Sequence, residues 1–189
     1  RHIEGLLVAD LSMKDSLWLG KGWCWDDDDP HLVPLLVDGK DQWMSSMMTE
    51  LQRLGVGLSV SLARGKMPKG ATEICCFRSH IDKVLTQMMK ESDNLYAESL
   101  LYQTALAASK QGVGTAEGAA GVTKRLLRRF GLTPRFYAIA NGSGLSLYNY
   151  VTAEMMVRLL RHAYEKSDIF AHLYPALPIA GVDGTLKKR

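Results

Sequence analysis

The 189 residues include 23 Lys+Arg and 20 Asp+Glu, a formal net charge of +3, with 47% hydrophobic and 23% charged residues. This is an ordinary globular composition, which excludes low-complexity and collagen-like chains, and its near-neutral charge gives no reason to expect a nucleic-acid or anionic-membrane partner. No apolar run approaches the ~20 residues that cross a bilayer, so no transmembrane segment is expected.

In chain order, Ile3 to Leu11 reads as a strand, and Trp23-Cys24-Trp25 leads into the run Asp26 to Asp29. Consecutive carboxylates on an extended chain diverge, whereas a calcium loop needs spaced ligands and a Gly turn, so the run reads as a solvated loop. Asp38 to Leu54 predicts an amphipathic helix: Trp43, Met44, Met47, Met48, Leu51 and Leu54 share a face and Gly55 stops it. Strands are expected over Val56 to Ala63 and Thr72 to Phe77, joined by a turn-rich linker. Ser79 is placed to cap a helix running to about Glu91, and a second helix runs from Leu95 to Lys110 after a polar break. Thr115 caps a helix to Phe130, closed by Gly131, with Lys124, Arg125, Arg128 and Arg129 on its solvated face. A short strand (Phe136 to Ala140), a Gly-rich turn (Asn141 to Ser146), a Thr152-capped helix to about Lys166 and a helix from Asp168 to Tyr174 complete the pattern.

The three cysteines, Cys24, Cys75 and Cys76, form no C-x-x-C, and the five histidines show no metal-ligand spacing, so no zinc site is expected. Either a disulfide from Cys24 to Cys75 or Cys76, or buried free thiols, is compatible with this count. The chain opens on Arg1-His2-Ile3-Glu4 without an initiator Met and ends on Lys187-Lys188-Arg189, which suggests a cut domain.

The informative segment is Ser92-Asp93-Asn94, between two predicted helices. A Ser and an Asn at a helix entrance can be a cap and nothing more. They are also the residue types a serine acyl transferase needs: a hydroxyl that passes a proton, and an amide that both donates to and accepts from a peptide. The stretch His80 to Leu100 around this motif, Asn141-Gly142-Ser143-Gly144-Leu145-Ser146, and Leu177-Pro178-Ile179-Ala180-Gly181-Val182-Asp183-Gly184-Thr185-Leu186 resemble, in order, three segments of the class C low-molecular-mass penicillin-binding proteins, the D-alanyl-D-alanine carboxypeptidase/endopeptidase family. Gly22 to Asp28 resembles a fourth, upstream segment, so the resemblance covers nearly the whole chain.

The resemblance implies an α+β serine β-lactamase/DD-peptidase-like fold, a mainly antiparallel sheet flanked by helices, incomplete here. It implies hydrolysis of the terminal D-Ala-D-Ala bond, or of cross-links, in peptidoglycan stem peptides through an acyl-enzyme, with β-lactams as inhibitors, no metal or organic cofactor, and a periplasmic or envelope location. Ser92 matches the second catalytic serine and Asn94 the residue that binds the substrate amide. Asp93 is the variable middle position, expected to help start the next helix. Ser143 is a candidate substrate-binding residue that could equally serve packing. Gly142 and Gly144 are expected to permit the turn.

Three departures qualify the match. No Ser is followed three residues later by Lys, and no K-T-G or K-S-G occurs, so the family's first and third motifs are absent from these residues. Asn141 stands where the family has Asp, and the stretch between Asp29 and Ser92 is short. A β-lactamase or esterase on the same scaffold, or a non-catalytic wall-binding or interaction module, is the alternative.

Overall fold

A computed structural model describes residues 1–24 and 31–189; the four-aspartate run lies outside the described residues. Strand β1 (His2–Ala9) pairs with β2 (Gly57–Arg64), from His2 opposite Gly57 to Ala9 opposite Arg64. The pairing is parallel, because the chain between them makes a long crossover that includes helix α1 (Trp43–Arg53). The expected mainly antiparallel sheet is therefore corrected: among the described residues the sheet has these two parallel strands, and antiparallel pairing is confined to the isolated bridges Val37 to Lys40 and Ala138 to Tyr150.

Two expected strands are also corrected. Residues 72–77 form no regular structure and are exposed throughout, so β-compatible side chains there have no neighbouring strand to pair with. Residues 136–140 contribute only the Ala138 bridge. Helix α1 starts five residues later than Asp38, because Asp38 (φ 50°) and Gly39 (φ 72°) form a tight turn closed by reciprocal bonds between Val37 and Lys40 at 3.0 and 2.9 Å. Both central residues have positive φ, the type I′ geometry that Asp-Gly favours.

The helices follow the patterning more closely. They are α2 (Ile81–Lys90), α3 (Asn94–Ala108), α4 (Ala116–Arg129), α5 (Ala153–Glu165) and α6 (Ser167–Ala176), with single 3₁₀ turns at Pro134–Phe136 and Gly184–Leu186. Thr115 and Thr152 cap α4 and α5 by accepting from the N–H groups of Gly118 and Met155. Gly131, at φ 71°, closes α4. Ser79 does not cap α2: the residue at that position is His80, which makes no capping bond.

A core of Leu127, Leu132 and Met155 locks α4 to α5, with Phe130, Tyr137, Ile139 and Leu159 around it. Lys124, Arg125, Arg128 and Arg129 lie on the exposed face of α4. Tyr102 and Ala105 of α3 and Ala119 of α4 are buried where those helices lie together. The buried-thiol expectation fails, since Cys24, Cys75 and Cys76 are all exposed, and Cys75 and Cys76 are free.

Candidate active site

The α2–α3 junction is built from the backbone outward. Helix α2 ends at Lys90, Glu91 is its cap, and Ser92 follows at φ 57°. The Asp93 N–H returns to the Met88 carbonyl at 3.2 Å, the long bond of a Schellman closure. In that closure the left-handed position normally belongs to Gly; an L-residue there costs about 1–2 kcal/mol. Ser92 occupies it with an exposed side chain. Asp93 is fixed from both helices: Oδ1 accepts from the Tyr96 N–H at 3.1 Å, capping α3, and Oδ2 accepts from Gln87 Nε2 at 3.1 Å. Asn94 is the first residue of α3, half-buried on the wall of a cleft of about 1380 Å³ also lined by Asp93, Tyr96, Ser99, Gln103 and Arg78.

The distant motif segments meet this helix pair. Gly142 lies against α3 so closely that a Cβ would come within 2.5 Å of the Ala97 carbonyl oxygen. Its backbone has no positive φ, so its small size is what the site uses; Gly144, at φ 84°, supplies the turn. Ser143 donates its hydroxyl to Glu98 Oε1 at 2.7 Å and its N–H to the same oxygen at 3.0 Å. Asn141 Nδ2 donates to the Ser143 hydroxyl oxygen at 2.9 Å, and Asn141 Oδ1 accepts from Asn149 at 2.6 Å. Asn149 in turn accepts the Ala140 N–H at 2.7 Å. Glu98, 1% exposed, is the anchor of this chain of bonds. Gly22 sits on the far side of the turn, where a Cβ would fall 2.4 Å from the Ser146 hydroxyl oxygen.

At the other helix, Lys90 pairs with Asp183 Oδ2, while Asp183 Oδ1 accepts the Ile179 N–H at 2.8 Å. The Lys90 hydrogen bond, then that N–H, holds the Asp183 carboxyl below its ordinary value of 3.8. Behind α3, the buried Lys14 ammonium pairs with Asp15 at 2.9 Å and lies 4.4 Å from the Tyr102 ring centroid. Burial foremost, then the charges of Asp15, Glu98 and Glu117, push the Tyr102 phenol up.

Ser92 and Asn94 thus share one junction, and Ser143 meets α3 one turn further on, bonded to Glu98, four residues after Asn94. Sequence reasoning passed over Glu98 and the Lys90–Asp183 pair. Glu98 had a signal: it is the lone acidic residue in α3, and an isolated carboxylate in an apolar helix is buried only with partners. Among the described residues no helix is long and apolar enough to cross a membrane, and no group of three or more His, Cys, Asp or Glu side chains is arranged to hold a metal.

The fold is that of a penicillin-binding DD-peptidase. A crystal structure of penicillin binding protein 4 (dacB) from Haemophilus influenzae superposes with a TM-score of 0.80 over 100% of this chain and 59% of that one, at 21% identity. A second crystal structure of that protein, complexed with a novel β-lactam, gives a TM-score of 0.66 at 28% identity over 82% of this chain and 36% of that one. In sequence, residues 30–189 match the D-Ala-D-Ala carboxypeptidase 3 (S13) family, and the chain belongs to it. It is 31% identical over 165 residues to D-alanyl-D-alanine carboxypeptidase DacB of Haemophilus influenzae, covering 85% of this chain and 33% of the relative. It is 33% identical over 209 residues to Carboxypeptidase DacB of Mycolicibacterium smegmatis, covering 98% and 45%. The chain therefore spans less than half the length of these curated relatives.

Proposed function

We propose that these residues are the part of a serine-type D-Ala-D-Ala carboxypeptidase/endopeptidase domain that carries its second catalytic motif, the nucleophile and the third motif being supplied by chain outside them. The substrate is a peptidoglycan stem peptide, β-lactams are inhibitors, and the protein works in the periplasm or cell envelope. The nucleophilic serine forms an ester with the penultimate D-Ala, the terminal D-Ala leaves as an amine that has gained a proton, and water then hydrolyses the ester. Ser92 relays that proton: its hydroxyl accepts one from a lysine of the first or third motif, outside these residues, as it gives its own to the leaving nitrogen, and ends unchanged. Asn94 binds the peptide amide through a donor and an acceptor on one side chain. Ser143 serves the site by holding its loop to Glu98, to which its hydrogen is already given.

The observation that carries this reading is the Ser92 backbone. A cap or a closure is better made by Gly at that position, so an exposed Ser in a left-handed conformation has a use for its hydroxyl. In the full-length protein, Ser92→Ala is expected to lower kcat for D-Ala release from a D-Ala-D-Ala peptide by more than about tenfold with the thermal midpoint unchanged. Wild-type turnover in that variant would reduce Ser92 to a helix terminus.

A further inference from the structure

We infer that Lys90 and Asp183 form a positioning pair for Ser92, fixing the end of α2 so that the serine hydroxyl is presented in one orientation. The inference rests on the reading of Ser92 as the proton relay. A helix end frays unless something outside the helix holds it, and a left-handed serine does not hold itself. On one side Asp93 ties Ser92 to both helices through Gln87 and Tyr96. On the other side the hold comes from a segment some ninety residues downstream. The two oxygens of Asp183 divide the work: Oδ1 takes the Ile179 N–H and fixes its own turn, and Oδ2 takes the Lys90 ammonium. Both side chains are partly shielded from solvent, 18% and 33% exposed.

The backbone repeats the contact. Gly184, at φ 56°, lies where a Cβ would approach the Lys90 carbonyl oxygen to 2.6 Å and Pro178 Cβ to 2.9 Å. The 3₁₀ turn Gly184–Leu186 can therefore rest on the last turn of α2 only with glycine at its start. Lys90 is not itself a base here, since its ammonium is committed to Asp183; it acts on Ser92 through two residues of backbone.

The test is made in the full-length protein with Lys90→Met, Asp183→Asn, Lys90→Arg and Ser92→Ala, measuring kcat and KM for D-Ala release alongside the thermal midpoint. Lys90→Met and Asp183→Asn are expected to lose about tenfold in kcat, with KM within about twofold and the midpoint within about 5 °C of wild type. Lys90→Arg keeps the charge-assisted bond and is expected to stay within about threefold of wild-type kcat. Should Lys90→Met fold poorly, Lys90→Gln, which keeps a polar side chain without the charge, takes its place and is expected to show the same split. Wild-type kcat in both pair-breaking variants, beside a lost kcat in Ser92→Ala, overturns the pair and leaves the Ser92 reading standing. A kcat loss that Arg does not rescue, or that merely tracks the folded fraction, also overturns it. Wild-type kcat in Ser92→Ala overturns both.

Discussion

The α2–α3 junction and the β1–β2 sheet are opposite solutions within one chain. The junction is tied by polar bonds between residues far apart in sequence: Glu98 to Ser143, Lys90 to Asp183, and the glycines Gly142 and Gly184 pressed on backbone carbonyls. The sheet is regular in its hydrogen bonds, yet Ile3, Leu6, Val8 and Leu62 remain exposed, and the segment after β2 leaves Ile74 and Phe77 96% exposed. Regular secondary structure and stability are therefore separate matters here. Substitutions at the junction should be felt across the chain, and substitutions on the exposed apolar side should not.

The largest effect is expected at Glu98. Glu98→Ala leaves the Ser143 N–H and hydroxyl without their acceptor, and Asn141 and Asn149 lose the anchor they build upon. Urea denaturation is expected to show a loss of about 3 kcal/mol. A loss below about 1 kcal/mol would mean that solvent replaces the carboxylate at no cost, and the contrast between the two regions would weaken.

At Ser92 the same region should respond in the opposite sense. Ser92→Gly relieves the left-handed strain, and after the extra freedom of glycine in the unfolded chain is counted, a gain of about 0.5 kcal/mol is expected. Turnover of the full-length protein should fall in the same variant. Stability raised while activity is lost is the signature of strain kept for function. A variant destabilised by more than about 1 kcal/mol would show that the hydroxyl serves the fold.

Asp183 gives a smaller, pH-dependent effect. Its folded carboxyl titrates below the ordinary 3.8, chiefly through the Lys90 hydrogen bond. A lowered folded pKa contributes stability that is fully present above the unfolded value and is lost as pH falls through the folded one. The difference in thermal midpoint between wild type and Asp183→Asn should therefore be constant well above the ordinary 3.8 and shrink toward zero as pH falls below it through the lowered folded value. A difference that persists unchanged at the acid end would deny the carboxylate its part.

How much of this was legible in the sequence follows the same division. Helix interiors and the Thr115 and Thr152 caps were readable because they depend on near neighbours. The role of Asp93 as the start of α3 was readable for the same reason. The Asp38-Gly39 turn was available as a local signal and was passed over in favour of the apolar stripe that follows it. Strand pairing was not readable: residues 72–77 have strand-like side chains, but pairing needs a partner that composition does not name. The junction was found through motif resemblance, while its supports were not. Nothing near Lys90 in the sequence names its partner, and only the fold brings Asp183, ninety-three residues away, to meet it.

The smallest effect is expected where the apolar side chains are largest. Ile74 and Phe77 sit in a segment without regular structure, each 96% exposed. Hydrophobic stabilisation comes from area removed from water on folding, and for these two residues almost none is removed. Ile74→Ser with Phe77→Ser is therefore expected to change the unfolding free energy of the 189-residue chain by no more than about 0.5 kcal/mol, measured by urea denaturation beside Glu98→Ala. A loss of more than about 1 kcal/mol in the double variant would place these side chains against apolar surface and erase the contrast with the junction. A null result would sharpen it: one buried carboxylate would outweigh two of the most hydrophobic side chains in the chain, because burial, not side-chain type, sets what a residue contributes.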